Sequence, residues 1–201
     1  MSSGEAEARL ILPVGERDHI QGLETASLTL VEYGDYQCPY CGEAYPIVRE
    51  VQRRLGSKLR FVFRNFPLGN LHPFAVLAAE AAEAAADQGK FWQMHDTLYE
   101  HQTALEEPDL VGYAKGLALD TGKFRAGLAQ HKYSSRVQED FMSGVRSGVN
   151  GTPTFYINGL RHDGSYDLEE MLASLQSALR GHQRGTAVQA RPASARRRSQ
   201  V

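Results

Sequence analysis

The pattern of apolar and polar positions predicts a strand, a helix and a second strand over residues 28–65. Residues 28–33 form a short apolar run followed by turn residues, which is typical of a buried strand. From residue 39 to about residue 55, apolar side chains recur at spacings of three and four, as on one face of a helix. Residues 58–65 are rich in aromatic and β-branched side chains and predict a second buried strand. The order is therefore β-α-β.

A helical pattern follows over residues 72–149. Apolar residues at helical spacing, separated by glycines and prolines, predict five helices near residues 73–86, 91–98, 110–117, 124–128 and 137–145. Residues 155–157 then predict a strand, and Asn158-Gly159 favours a two-residue hairpin into a short run from Leu160. An apolar face between Leu168 and Leu179 predicts a final helix. The strands are thus expected to be bracketed by helices.

The two ends of the chain lack this periodicity. Residues 1–26 are interrupted by proline and glycine and predict an irregular lead-in. Residues 182–201 are rich in arginine, alanine, serine and glutamine, and they predict a disordered basic tail. With 201 residues and 42% hydrophobic content, the chain can bury a full core as one domain with an inserted subdomain.

The charge is unevenly distributed. The formal net charge is −2. Residues 182–201 hold five arginines and no acid, so residues 1–181 carry 17 basic and 24 acidic residues, a net charge of −7. A short basic tail is usually just solvated, so we expect no nucleic-acid partner. The sequence has no signal-peptide pattern and no apolar stretch of membrane length, which favours a cytoplasmic protein without a membrane span.

The chemistry of the chain centres on its only two cysteines, Cys38 and Cys41. A C-x-x-C sequence that follows a strand and opens a helix predicts a redox dithiol. Pro39 suits the first helical position, which places Cys38 at the helix N-terminus. Unpaired N–H groups and the helix dipole favour a thiolate there. We therefore predict Cys38 as the nucleophile and Cys41, one turn deeper, as the resolving thiol.

Two other interpretations of the cysteines are weaker. A structural zinc site usually needs four Cys or His ligands, and the sequence has no second C-x-x-C and no paired histidines at ligand spacing. A purely structural disulfide would close so short a loop that it would add little stability. No dinucleotide or phosphate-binding motif is present, so we expect no metal and no cofactor, with electrons supplied by another thiol system.

This order of elements resembles the thioredoxin fold with the helical insertion of the DsbA family of thiol:disulfide oxidoreductases, over roughly residues 14–180. The resemblance implies an α/β fold in which residues 27–71 and 150–181 are the thioredoxin-like parts. It further implies that residues 72–149 are an inserted all-helical subdomain.

The resemblance also implies site residues. Cys38-Pro39-Tyr40-Cys41 matches the family's dithiol, and Thr152-Pro153 resembles its cis-proline loop, which faces the dithiol and binds extended substrate. Glu32 is similar to the acid that handles protons at the buried cysteine. The best-known periplasmic members carry histidine where Tyr40 stands and valine where Thr152 stands, and they have signal peptides. Cys-Pro-Tyr-Cys is instead the glutaredoxin sequence, which favours a less strongly oxidising protein.

The sequence supports two functions. In the first, the chain is an enzyme that exchanges disulfides with protein or glutathione thiols and is recycled by a thioredoxin or glutathione system. In the second, it is a chaperone or protein-binding module on the same fold, in which the dithiol only senses oxidation. A third function, glutathione conjugation or isomerisation, usually lacks a second cysteine, so Cys41 disfavours it.

Overall fold

A mixed five-stranded sheet, with strand order β1-β3-β2-β4-β5, forms the centre of the fold. The structure is a computed structural model that describes residues 8–189. The strands are β1 (His19–Gln21), β2 (Leu28–Gly34), β3 (Leu59–Asn65), β4 (Thr154–Ile157) and β5 (Leu160–His162). The β2 and β3 strands are parallel, and the other pairs are antiparallel. The parallel pair is joined through a helix, as a crossover between parallel strands requires.

Seven helices surround this sheet in the described part of the chain. They are α1 (Pro39–Leu55), α2 (Ala75–Ala86), α3 (Phe91–Glu100), α4 (Glu107–Gly116), α5 (Thr121–Ala129), α6 (Ser134–Ser147) and α7 (Leu168–Gln189). The helices α2 to α6 all lie between β3 and β4 in the chain, where the sequence predicts five. The α/β fold with an inserted helical block is thus confirmed. Within residues 8–189, no helix has the length and apolar character needed to cross a bilayer.

The β2 strand places its alternate side chains in two separate cores. Leu28 and Leu30 belong to the larger core, which also contains the α1 residues and most of the helical block. Val31 and Tyr33 belong to a smaller core on the opposite face. Since side chains alternate across a strand, Glu32 shares the face of Leu28 and Leu30. The β2 strand therefore points the carboxyl group of Glu32 into the larger core.

The structure differs from the predicted lead-in at residues 19–21. His19–Gln21 pairs with β3 as a short antiparallel strand, where the sequence predicts irregular structure. The segment before it is fixed by a buried ion pair, in which the Arg64 guanidinium donates to both carboxylate oxygens of Asp18 at 2.8 and 3.0 Å. A three-residue strand that pairs with a distant strand is too short to show a periodic pattern in the sequence. Residues 1–7 lie outside the described residues.

The last helix is longer than predicted. The α7 helix continues to Gln189, so the expectation of disorder from residue 182 is wrong for residues 182–189. Because an existing helix gains one hydrogen bond for each residue added, it can continue beyond the apolar face that predicts it. Residues 190–201, with most of the predicted basic tail, lie outside the described residues.

Candidate active site

The dithiol lies where α1 begins, at the carboxyl end of β2. Cys38 is the N-cap residue of α1 and Pro39 is its first helical residue, as the sequence predicts. The Cys38 N–H donates to the Asp35 carbonyl oxygen at 3.2 Å, and the Cys38 carbonyl accepts from the Gly42 N–H at 3.1 Å. The Cys38 side chain thus starts from the position that usually supplies a capping oxygen to the first N–H groups of a helix. A negative charge on its sulfur is stabilised there.

The surroundings of Cys38 favour its thiolate. Cys38 is 3% exposed and its thiol is free. The hydrogen bond with the Cys41 thiol is the main reason why the pKa of Cys38 falls to about 5. Burial opposes this shift, whereas the contact with Thr152 and the N–H groups of Tyr40 and Cys41 add to it. At neutral pH the group is therefore ionised, and only the ionised form attacks a disulfide.

Cys41 lies one turn deeper and has the opposite character. It is completely buried in the larger core. Burial, followed by the hydrogen bond to Cys38 and the charges of Glu32 and Cys38, raises the pKa of Cys41 well above its usual value. The Asp35 N–H donates to the Cys41 sulfur at 3.5 Å and opposes part of this shift. The two thiols thus differ in protonation at neutral pH although they are neighbours.

Glu32 lies beneath the dithiol in the centre of the sheet. It is 2% exposed, and its neighbours in the sheet are Phe63 of β3 and Phe155 of β4. Its Oε1 atom has no hydrogen-bonding partner within residues 8–189. Burial, together with the negative charge of Cys38, raises the pKa of Glu32 to about 8. A carboxyl group with this pKa can both hold and release a proton near neutral pH.

The loop before β4 faces the dithiol. The Cys38 sulfur lies 3.3 Å from the Thr152 carbonyl oxygen, to which its protonated form donates, and the Thr152–Pro153 peptide bond is cis. Tyr40, between the cysteines, is 59% exposed. Glu32, Thr152 and Pro153 thus lie around the sulfurs of Cys38 and Cys41. Pro39 begins the helix, and the Tyr40 side chain is exposed at the surface.

Asp35 also belongs to this site, although no sequence pattern indicates it. Its buried carboxylate accepts from the N–H groups of Gln37 and Leu68, each at 2.8 Å, and contacts His72 Nδ1 at 2.7 Å. These contacts join the segment before the dithiol to the loop before α2. An acid three residues before the first cysteine is the only local signal, and its partner His72 is far along the chain.

His95 supports the site from the helical block. It is buried in an aromatic cluster, and its Nδ1 lies 3.1 Å from the Tyr36 hydroxyl. Burial is the main reason why the pKa of His95 falls to about 3, so the ring is neutral at physiological pH. This agrees with a packing role. Among residues 8–189, His, Cys, Asp and Glu side chains form no group of three or more arranged for a metal ion.

Comparison with known proteins gives matches to most of the chain. A thioredoxin family model matches residues 15–177. The chain is 50% identical over 173 residues to Na(+)/H(+) antiporter NhaA 1 of Salinispora arenicola, a match that covers 86% of this chain and 26% of that protein. It is 46% identical over 179 residues to Na(+)/H(+) antiporter NhaA 3 of Salinispora tropica, covering 89% and 27%. The chain thus spans about a quarter of the length of these relatives.

Solved structures with the same fold are also found. BdbD from Bacillus subtilis superposes with a TM-score of 0.75 at 25% identity, over 88% of this chain and all of that one. A thioredoxin-like oxidoreductase from Silicibacter pomeroyi gives 0.70 at 25% identity, over 85% and 94%. The thiol-disulfide exchange protein α-DsbA2 from Wolbachia pipientis gives 0.69 at 20% identity, over 81% and 87%, a likeness of fold.

Proposed function

Because the chain belongs to the thioredoxin family and has the DsbA-type form of its fold, we propose that it exchanges disulfides with protein thiols through Cys38 and Cys41. The observation that carries this proposal is the contrast between two neighbouring sulfurs. The pKa of Cys38 falls to about 5, whereas that of Cys41 is raised well above its usual value. One thiol is therefore ready to attack, and the other stays protonated until it is needed.

The reaction begins with attack of the Cys38 thiolate on one sulfur of a substrate disulfide. The substrate S–S bond breaks, a mixed disulfide forms, and the second substrate sulfur leaves as a thiolate that takes a proton from water. Glu32 in its ionised form, which a pKa of about 8 leaves accessible near neutral pH, then accepts the proton of Cys41, and the Cys41 thiolate attacks the Cys38 sulfur. The Cys38–substrate bond breaks, and the substrate sulfur that Cys38 attacked leaves as a thiolate that takes a proton from water. Two electrons have passed to the substrate, and the chain holds a Cys38–Cys41 disulfide.

The reverse sequence oxidises a substrate dithiol and restores the reduced pair. Which direction dominates depends on the reduction potential of the pair relative to its partners. A thiol system of the thioredoxin or glutathione class is proposed to recycle the dithiol. Thr152 and Pro153 would bind an extended substrate segment beside Cys38, and the exposed Tyr40 side chain would contact the same substrate.

Mixed-disulfide trapping tests the proposal. The Cys41→Ser variant is incubated with a peptide that contains one disulfide, and the products are measured by mass spectrometry. We expect a covalent adduct on Cys38 that dithiothreitol releases. The Cys38→Ser variant is the control and forms no adduct at the deeper Cys41. Absence of the adduct in Cys41→Ser would contradict the exchange reaction and would favour a binding module that only senses oxidation.

The relatives favour one particular partner class. Chains called Na(+)/H(+) antiporters share 46–50% identity with this chain over about a quarter of their length. We therefore propose, as a second candidate, that a sodium–proton antiporter is the protein on which this chain acts. Trapping with Cys41→Ser in cells that contain such an antiporter would link the two through a reducible bond. Trapping of other proteins with no antiporter adduct would contradict this choice of partner and leave the exchange reaction intact.

A further inference from the structure

One side chain of the helical block reaches the main chain of the dithiol segment. Gln102 lies just after α3, and its Nε2 donates to the carbonyl oxygens of Tyr36 and Cys38, both at 2.9 Å. Both N–H groups of the Gln102 amide thus donate hydrogen bonds to the main chain of residues 36–38, which includes the predicted nucleophile Cys38. Gln102 is half-buried, and it is separated from Cys38 by 64 positions in the chain.

The first turn of α1 leaves room for this contact. Gly42 packs against the amide of Gln102, and a Cβ atom at Gly42 would overlap Gln102 Oε1 and lie 2.7 Å from Cδ. The Gly42 N–H also donates to the Cys38 carbonyl at 3.1 Å. That carbonyl therefore accepts two hydrogen bonds, one from the helix and one from Gln102. The hydrogen bonds of Gln102 therefore depend on the glycine, because a side chain at position 42 would displace the Gln102 amide.

The residues before Gln102 hold it in place. Leu98 and Tyr99, in the last turn of α3, are buried in the larger core. The Tyr99 ring packs against Tyr36 and Tyr45, at centroid distances of 5.0 and 5.2 Å. The position of Gln102 is therefore fixed by packing between the helical block and α1, which gives its hydrogen bonds a defined geometry.

We propose that Gln102 is a positioning residue that favours the thiolate of Cys38 through its two hydrogen bonds to the Tyr36 and Cys38 carbonyl groups. The inference rests on the proposed function. The amide protons draw negative charge away from two carbonyl oxygens beside the sulfur. They also hold the Tyr36–Cys38 main chain so that the sulfur faces the N–H groups of Tyr40 and Cys41. The helical block thereby acts on the reactivity of a thiol that belongs to the other part of the fold.

The Gln102→Met variant tests this directly, because methionine has a similar length and volume but no N–H donor. The rate of Cys38 alkylation is measured against pH in the reduced protein. One hydrogen bond is worth about as much as one pKa unit, so we expect the pKa of Cys38 to rise by about 0.5–1 unit. At pH 5, alkylation should be about two- to fivefold slower. The reduction potential should also become more negative, because the reduced form loses thiolate stabilisation.

A second variant tests the geometry. Gly42→Ala should displace the Gln102 amide and raise the pKa of Cys38 in the same direction. The double variant should show no larger shift than the larger of the two single shifts, because both changes remove the same contacts. Gln93→Met, at an exposed position of α3, is the matched control and should leave the pKa unchanged. Circular dichroism and urea unfolding verify that each variant is folded.

The outcomes separate the inference from the proposed function. An activated Cys38 in the wild type with an unchanged pKa in Gln102→Met would overturn the role of Gln102 alone, because a residue that only fills space is replaced well by methionine. Additive shifts in the double variant would overturn the joint arrangement with Gly42. An ordinary thiol pKa in the wild type would overturn the exchange mechanism, and the role of Gln102 with it.

Discussion

The sulfur of Cys38 lies 3.3 Å from the carbonyl oxygen of Thr152, a residue separated from it by 114 positions. The contact joins the start of α1 to the loop before β4. A substrate bound at the sulfur would therefore lie beside the main chain of Thr152. Cys41, which carries the second sulfur, lies deeper in the core. Both Cys41 and Glu32 are almost fully buried. Cys38 is thus placed to attack a substrate disulfide, and Cys41 and Glu32 are placed to resolve the mixed disulfide.

The buried Glu32 predicts a stability that falls with pH. Its pKa is about 8 in the folded protein, above that of an exposed carboxyl, so between pH 4.5 and 8 the folded state keeps a proton that the unfolded chain has lost. Replacement by Gln removes this penalty. We expect Glu32→Gln to raise the free energy of unfolding at pH 8 by roughly 2–4 kcal/mol relative to its effect at pH 4. Urea unfolding of the reduced protein at both pH values measures this difference.

Glu24→Gln is the control for that comparison. Glu24 is exposed, so its replacement should change the stability by less than about 0.5 kcal/mol at either pH. A Glu32→Gln effect that is the same at pH 4 and pH 8 would show that Glu32 titrates as an ordinary carboxyl. The same variant should slow the release of a trapped substrate by Cys41 by about tenfold or more, because the proton acceptor is gone.

The reduction potential should lie between those of thioredoxin and DsbA. The pKa of Cys38 is about 5. This value falls between about 3.5 for the strongly oxidising DsbA and about 7 for the reducing thioredoxin. Since a stabilised thiolate favours the reduced form, we expect a potential between about −120 and −270 mV. Titration of the dithiol in glutathione buffers measures it, and a potential at the oxidising end of this range would contradict the less oxidising character that Tyr40 predicts.

Close packing against the smaller core makes Gly144 of α6 sensitive to substitution. A Cβ atom at Gly144 would lie 2.7 Å from two ring carbons of Phe66 and 3.0 Å from the Tyr33 ring. Overpacking in a rigid core costs about 1–3 kcal/mol, so Gly144→Ala should lower the free energy of unfolding by that amount.

A glycine with open space gives the matched control. Gly112 lies in α4, is exposed, and would have no atom within 4 Å of an added Cβ among the described residues. Alanine is the better helix former, so Gly112→Ala should raise the free energy of unfolding by about 0.5–1 kcal/mol. Chemical unfolding of both variants measures the two effects. If Gly144→Ala were as stable as Gly112→Ala, the packing of α6 on this face would be wrong.

The elements of the fold could be predicted because their signals are local. The start of α1 follows from Pro39 and the cysteine spacing, and the hairpin between β4 and β5 follows from Asn158-Gly159. The five helices of the inserted block follow from the spacing of their apolar residues. Each of these features depends on a few neighbouring residues, so sequence patterns are sufficient to find it.

The supporting contacts of the site could not be predicted, because they depend on distant pairing. Whether Glu32 is buried depends on β4, which pairs Phe155 beside it and makes β2 a central strand. Gln102 reaches the dithiol only because the end of α3 packs against α1, and no feature of its own segment indicates this. Asp35 likewise gains its role from a contact with His72. Tertiary packing determines the contacts of these residues, and the local sequence pattern does not indicate it.

The pH dependence of Cys38 alkylation in the reduced wild-type protein shows whether this thiol is activated. Iodoacetamide modification is followed by mass spectrometry between pH 3 and pH 10, with Cys41→Ala to report the loss of the hydrogen bond from Cys41 to Cys38. We expect the wild-type rate to rise through a midpoint near pH 5 and then to level off, and the midpoint of the variant to lie higher. A single midpoint near about pH 8.5, the value of an ordinary thiol, would contradict the account.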